Sequence, residues 1–364
     1  MDNNQKNKRL VFLDTLRGFD MLWIIGGGVL IRALADLFPS LSPLGEQFQH
    51  AKWVGLHFND LIFPLFMFIS GVAIPYSLKR KLENGIPKFQ LIKKVLKRVI
   101  VLILLGIIYN GGLSFENVRI ASVLGQIGIA YFIAAVIVLN TKNINTLLLC
   151  IVVIMAVYSV VQLLIPVPEF GAGNLTVDGS INSWVDQKFL PGNLHRPTYD
   201  PEGLLCSLSA SVMTLTGAFI GTIIRSNKYS GNKNALIILS AGLFSLLIGL
   251  IISPYYPIVK KVWTTSFNLS AGGIILLLTG VFYWIIDVRN HLGWTFFFRV
   301  IGLNSITIYM LCRIVDFKGI SQFLFGGLAG LTGDLKEVVI FTGVLTIEWI
   351  LLYFLFKNKI FLKI

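Results

Sequence analysis

Apolar stretches long enough to cross a membrane recur along the chain, separated by short polar breaks. They place helices near 10–37, 57–78, 97–113, 119–140, 145–166, 203–224, 235–253, 265–286, 297–315 and 337–356. A crossing helix needs roughly 20 mostly apolar residues, because each residue rises about 1.5 Å through about 30 Å of hydrocarbon. The stretches 97–113 and 297–315 are short or interrupted by polar residues, so their limits are the least defined. The pattern predicts an all-α, polytopic transmembrane bundle of about 10 spanning helices, with residues 1–364 as a single membrane-embedded domain. Two connections are longer than a helix hairpin requires, 38–56 and 167–202, and both fall on the outer side. Long ordered loops more often carry function than short ones.

Composition narrows the class. The 364 residues are 55% hydrophobic and 13% charged, against about 25% charged in soluble domains. Basic residues collect at one end of the helices: Lys6, Lys8 and Arg9, the connection 79–98 with Lys79, Arg80, Lys81, Lys88, Lys93, Lys94, Lys97 and Arg98, then Arg225, Lys228, Lys233, Lys357, Lys359 and Lys363. Basic residues in short loops are retained in the cytoplasm, so 79–98 reads as a basic cytoplasmic loop and both termini as cytoplasmic. The net charge of +13 is then topology. A nucleic-acid partner would call for a soluble basic face with stacking aromatics, which these loops lack. The first apolar run is long, is broken by Arg17 and Asp20, and has no small-residue cleavage site after it, so the first helix is expected to stay. Cys150, Cys206 and Cys312 lie in or beside apolar segments without metal-type spacing and read as packing residues.

Charged groups inside a bilayer need a partner, a wet cavity or a task. Asp14 and Arg17 share a helix face at i, i+3 and read as an ion pair at the helix entry. The triplet Gly26, Gly27 and Gly28 permits close approach, by a neighbouring helix as readily as by a ligand. The densest constellation is His50, Lys52, His57 and Asp60 at the outer mouth of the second helix. Histidine serves as base or nucleophile near neutrality, and a carboxylate beside it orients the ring. The bland alternatives are a solvated interfacial histidine and an aspartate that ties two helices. No His-x-x-x-His pattern supports a metal. Arg119, Gln126, Asn304 and Ser305 add polar groups further on, and Asp200 and Glu202 before Gly203 suit a helix N-terminus.

Several ordered motifs resemble the family of the lysosomal heparan-alpha-glucosaminide N-acetyltransferase and its bacterial relatives. They are Arg9-Leu10-x-x-Leu13-Asp14-Thr15-x-Arg17-Gly18-Phe19 and His50-Ala51-x-Trp53-x-Gly55-Leu56-x-x-x-Asp60-Leu61-x-Phe63-Pro64-x-Phe66-x-Phe68-Ile69-x-Gly71. Val118-Arg119-Ile120-x-x-Val123-Leu124-x-x-x-Gly128, Tyr199-Asp200-Pro201-Glu202-Gly203, Asn304-Ser305-Ile306 and Lys359-Ile360-Phe361-x-Lys363-Ile364 continue the match to the last residue. The resemblance implies an acetyltransferase of the bacterial inner membrane, moving acetyl from acetyl-CoA to the amine of a glucosamine-type sugar or glycan. It implies His50 as the catalytic residue, acting as covalent acetyl carrier or as base, with Asp60 orienting the site. Arg17, Arg119, Asn304 and Ser305 become candidates for holding CoA, the arginines through its phosphates. Membrane lipid is the remaining partner, and homodimerisation stays open.

The sequence also departs from the pattern. Many members carry Asn near the outer end of the first helix, where this chain reads Ile24-Ile25-Gly26-Gly27-Gly28. The lysosomal member's large N-terminal luminal domain has no counterpart in these 364 residues, so its glycan choice does not carry over. A transporter or flippase for a small solute or lipid-linked sugar is the competing reading, with Asp14, Arg17 and Asp60 as gating charges. Paired inverted repeats would favour it, and none is evident.

Overall fold

A computed structural model describes residues 10–112 and 118–362. The expectations placed on Lys6, Lys8, Arg9, Lys363 and Ile364 lie outside that range. Among the described residues the regular structure is helical, with two isolated bridges and no strand. Eight helices are long and apolar enough to cross a membrane, and nine if one bent pair is a single span. The helix Lys88–Tyr109 has 22 residues and stands outside that count, with Lys93, Lys94, Lys97 and Arg98 in its first half. Among the described residues, counting the bent pair as one span and adding this helix gives ten, in line with the expected number.

Contacts between helix ends fix the alternation. At the basic end the Phe12 amide donates to Asp287, Arg225 pairs with Glu83, Lys88 donates to Asn140, and Asn304 donates to the Ile360 carbonyl. Both ends of the described chain therefore lie on one side. Between the ends, glycines let backbones touch. A Cβ on Gly71 would stand 1.9 Å from the Thr214 carbonyl oxygen, and one on Gly217 would stand 2.0 Å from that of Phe68. The helix that carries Asp60, Asn59–Val72, is thereby locked to Leu204–Arg225.

The structure corrects several boundaries. The expected 79–98 loop is mostly helix, because Leu91, Val95, Val99, Leu102 and Gly106 make one buried stripe that the charges on the other faces obscure. The expected span 297–315 is two helices, Thr295–Gly302 and Ser305–Ile314, bent by 67°. Gly302 packs against the Asp14 carbonyl there, and Asn304 leaves helical geometry. A further helix, Phe317–Leu331, was not expected. The first span is broken at Trp23–Gly27, where Gly26 adopts φ 155 and abuts Leu345, so the glycine triplet serves packing. The outer connections contain the short helices Ser42–Gln47 and Ile181–Phe189.

Candidate active site

Asp60 opens the helix Asn59–Val72, where the positive dipole end favours a carboxylate. It is 1% exposed and takes four donors. His50 Nδ1 lies 2.7 Å and Lys260 Nζ 3.3 Å from Oδ1, while the amides of Ala51 and His57 donate to Oδ2 at 3.2 and 3.1 Å. With an ionised Asp60 as acceptor, His50 carries its proton on Nδ1 and keeps the Nε2 lone pair. Asn59 Nδ2 lies 3.3 Å from that nitrogen. The His50 side chain is 56% exposed, facing a cavity of ≈ 650 Å³. The ring is fixed through Nδ1, its Nε2 has Asn59 Nδ2 as neighbour, and the half-exposed side chain lines the cavity, an arrangement suited to a base or nucleophile.

Lys260 comes from the connection between Gly231–Ile252 and Thr265–Tyr283. That connection turns tightly, and Trp263 takes the left-handed conformation at φ 48, which costs a non-glycine residue about 1–2 kcal/mol. Buried side chains hold the turn. The Tyr158 hydroxyl and Gln162 Nε2 donate to the Val262 carbonyl at 2.7 and 2.8 Å, and the Ser209 hydroxyl donates to that of Trp263 at 2.7 Å. Cys206 Sγ contributes a longer contact, 3.6 Å, to the Lys261 carbonyl. Burial pushes the Lys260 ammonium below the usual lysine range, against the pull of Asp60.

Across the cavity Arg119 engages two carboxylates. Its Nε and Nη2 meet Asp200 at 2.8 and 2.6 Å, and Nη2 meets Glu202 at 2.5 Å. Asp200 also accepts from the amides of His195 and Glu202. The helix that follows is capped from elsewhere, by Asp186 Oδ1 on the Leu204 amide at 2.9 Å. Asp200 thus ties loops together, in place of the expected cap. Burial raises the Glu202 carboxyl above its ordinary range, and raises Asp186 to about 7.

The family model "Heparan-alpha-glucosaminide N-acetyltransferase, catalytic" matches residues 9–186. Human heparan-alpha-glucosaminide N-acetyltransferase is 28% identical over 419 aligned positions, which cover 98% of this chain and 60% of that protein. The mouse protein is 27% identical over 422, with the same shares. The chain is a relative of this family. It spans about three fifths of the length of the curated relatives it matches.

The stretch matched by the family model contains His50 and Asp60, which the structure brings together, and Arg119, which shares their cavity. It also contains Arg17, which stands 3.5 Å from Asp14 towards the basic end. Asn304 and Ser305 adjoin that end too, and none of these three residues lines the His50 cavity. Of the other residues in the His50 segment, Lys52 offers its carbonyl to Lys261, and His57 Nδ1 turns to the Gln49 carbonyl at 3.1 Å. Gln126 donates to the Pro201 carbonyl at 3.3 Å. Reading the sequence missed Lys260, Lys261, Arg196 and Arg313, all of which line the cavity. One signal was present: Lys260 and Lys261 stand at the end of the bundle opposite the one where most basic residues collect.

Proposed function

We propose that this protein is a membrane acetyltransferase, with acetyl-CoA as donor and the amine of a glucosamine-type sugar or glycan as acceptor. The observation that carries the reading is His50, held through Nδ1 by Asp60 at 2.7 Å with Nε2 presented to a cavity. Kinship with a family named for N-acetyl transfer supports the same chemistry. In this reading the acceptor enters the outer cavity. His50 Nε2 takes the proton of the attacking amine, or attacks the thioester carbonyl itself.

The donor is expected from the cytoplasmic side, opposite His50, so its acetyl arm has to cross the bundle. A second, apolar cavity of ≈ 50 Å³ supports that path. It shares Phe63, Val123, Leu124 and Tyr309 with the large cavity and extends to Met21, Ile127 and Ile306. Met21 follows Arg17 by one helical turn, and Ile306 follows Asn304 and Ser305. In this reading those three residues, which neighbour the small cavity's lining in sequence on the side of the basic end, are the candidates for the charged part of CoA.

The test uses purified protein, radiolabelled acetyl-CoA and a panel of amino sugars, with wild type beside His50→Ala. Wild type is expected to label an amino sugar, and His50→Ala to lose about 10²–10⁴-fold in rate. Equal transfer by both removes His50 from the mechanism. Absence of acetyl-CoA binding by a folded wild type defeats the enzyme reading.

A further inference from the structure

We propose that Lys260 is a catalytic residue whose ammonium receives the negative charge that develops on the acyl oxygen beside His50. The inference rests on the acyl-transfer reading above and adds a group to it.

Acyl transfer needs more than a base. When the amine lone pair forms a C–N bond to the thioester carbonyl, the π pair moves to oxygen. The tetrahedral centre then collapses, the C–S bond breaks and its electron pair leaves with sulfur. His50 Nε2 accepts the amine proton and returns it to the thiolate, so amide and thiol are the products. Attack by His50 itself places the same charge on the same oxygen. Fixed donors aimed at that oxygen are commonly the largest contribution to such reactions.

Lys260 is placed for this part. Its Nζ is 3.3 Å from His50 Nδ1 and 3.3 Å from Asp60 Oδ1, it lines the same cavity as both residues, and its side chain is 18% exposed. Asp60 fixes its position but is already shared among four donors, which leaves the ammonium with hydrogen-bonding capacity towards the cavity. Other cations line the wall less favourably. Arg119 is taken up by Asp200 and Glu202, Lys261 reaches back to the Lys52 carbonyl, Arg313 Nε donates to the Tyr109 carbonyl, and the Arg196 side chain bonds Tyr199. The strained turn at Trp263, with three successive carbonyls engaged by buried side chains, delivers Lys260 at a defined height. A solvated surface lysine would need no such support.

The experiment compares wild type, Lys260→Met, Lys260→Arg and His50→Ala, each checked for folding by gel filtration. Two acyl donors are used: acetyl-CoA with an amino sugar, and p-nitrophenyl acetate with water, which requires neither CoA nor sugar. Lys260→Met is expected to lower kcat by about 10²–10³-fold with either donor while KM stays near wild type, and Lys260→Arg to recover part of the loss. Wild-type kcat in Lys260→Met, or a loss confined to KM, overturns the role of Lys260. Hydrolysis of p-nitrophenyl acetate that depends on His50 and Lys260, without any use of acetyl-CoA, overturns the donor assignment and leaves Lys260 standing. Wild-type turnover no faster than that of His50→Ala with either donor overturns both.

Discussion

At the scale of single residues, Asp60 sets the terms. Both oxygens are needed, since one receives His50 and Lys260 and the other receives two backbone amides. An amide side chain cannot satisfy this, because its NH2 would face donors whichever way it turned. Asp60→Asn should therefore lower His50-dependent turnover by about 10²–10⁴-fold with the chain still folded. The comparison to make is steady-state kcat beside a gel-filtration profile. The partners differ in how readable they were. His50 lies ten positions from Asp60 in one dense polar segment, so the pair could be found from sequence. Lys260 is 210 positions from His50, and only its place at the end opposite most basic residues marked it. Asp200 and Glu202 looked like a helix start, yet their charge goes to Arg119, and the cap comes from Asp186 in the short helix Ile181–Phe189, which lies inside a long connection.

At the scale of elements, apolar runs revealed the spans wherever one helix had one continuous run. They failed where a helix mixes its signals. Lys88–Tyr109 hides a regular buried stripe among lysines, and Phe317–Leu331 carries Gly326, Gly327 and Gly330, which lower helix propensity although nothing crowds them. Glycines at the crossing of Asn59–Val72 with Leu204–Arg225 have the opposite character. There a methyl group would collide with backbone. Gly217→Ala should destabilise the bundle by about 1–3 kcal/mol or more and disturb His50, since Asp60 rides on the displaced helix. Gly327→Ala, where a methyl group meets nothing, should stabilise its helix by about 0.5–1 kcal/mol. Thermal unfolding in one detergent, with activity measured on the same samples, separates the two.

At the scale of the whole molecule, the two cavities share Phe63, Val123, Leu124 and Tyr309, and on the acyl-transfer reading proposed above they would serve as a wide chamber and a narrow apolar neck. Filling the neck should silence one donor and spare the other. Ile127→Trp, at a position that lines the small cavity and not the large one, is expected to lower turnover of acetyl-CoA by about 10²-fold while p-nitrophenyl acetate, which enters from the chamber side, is hydrolysed as before. Parallel assays with both donors decide it. The neck also bears on permeability. A space of ≈ 50 Å³ with an apolar wall has room for a few water molecules and offers them few partners, so it does not support a continuous file of water along which protons or salts would leak. A slender acyl arm can fill it, whereas a nucleotide cannot follow. Traffic between the two faces would then consist of a two-carbon group changing hands, and the ion gradients across the surrounding bilayer would be left undisturbed.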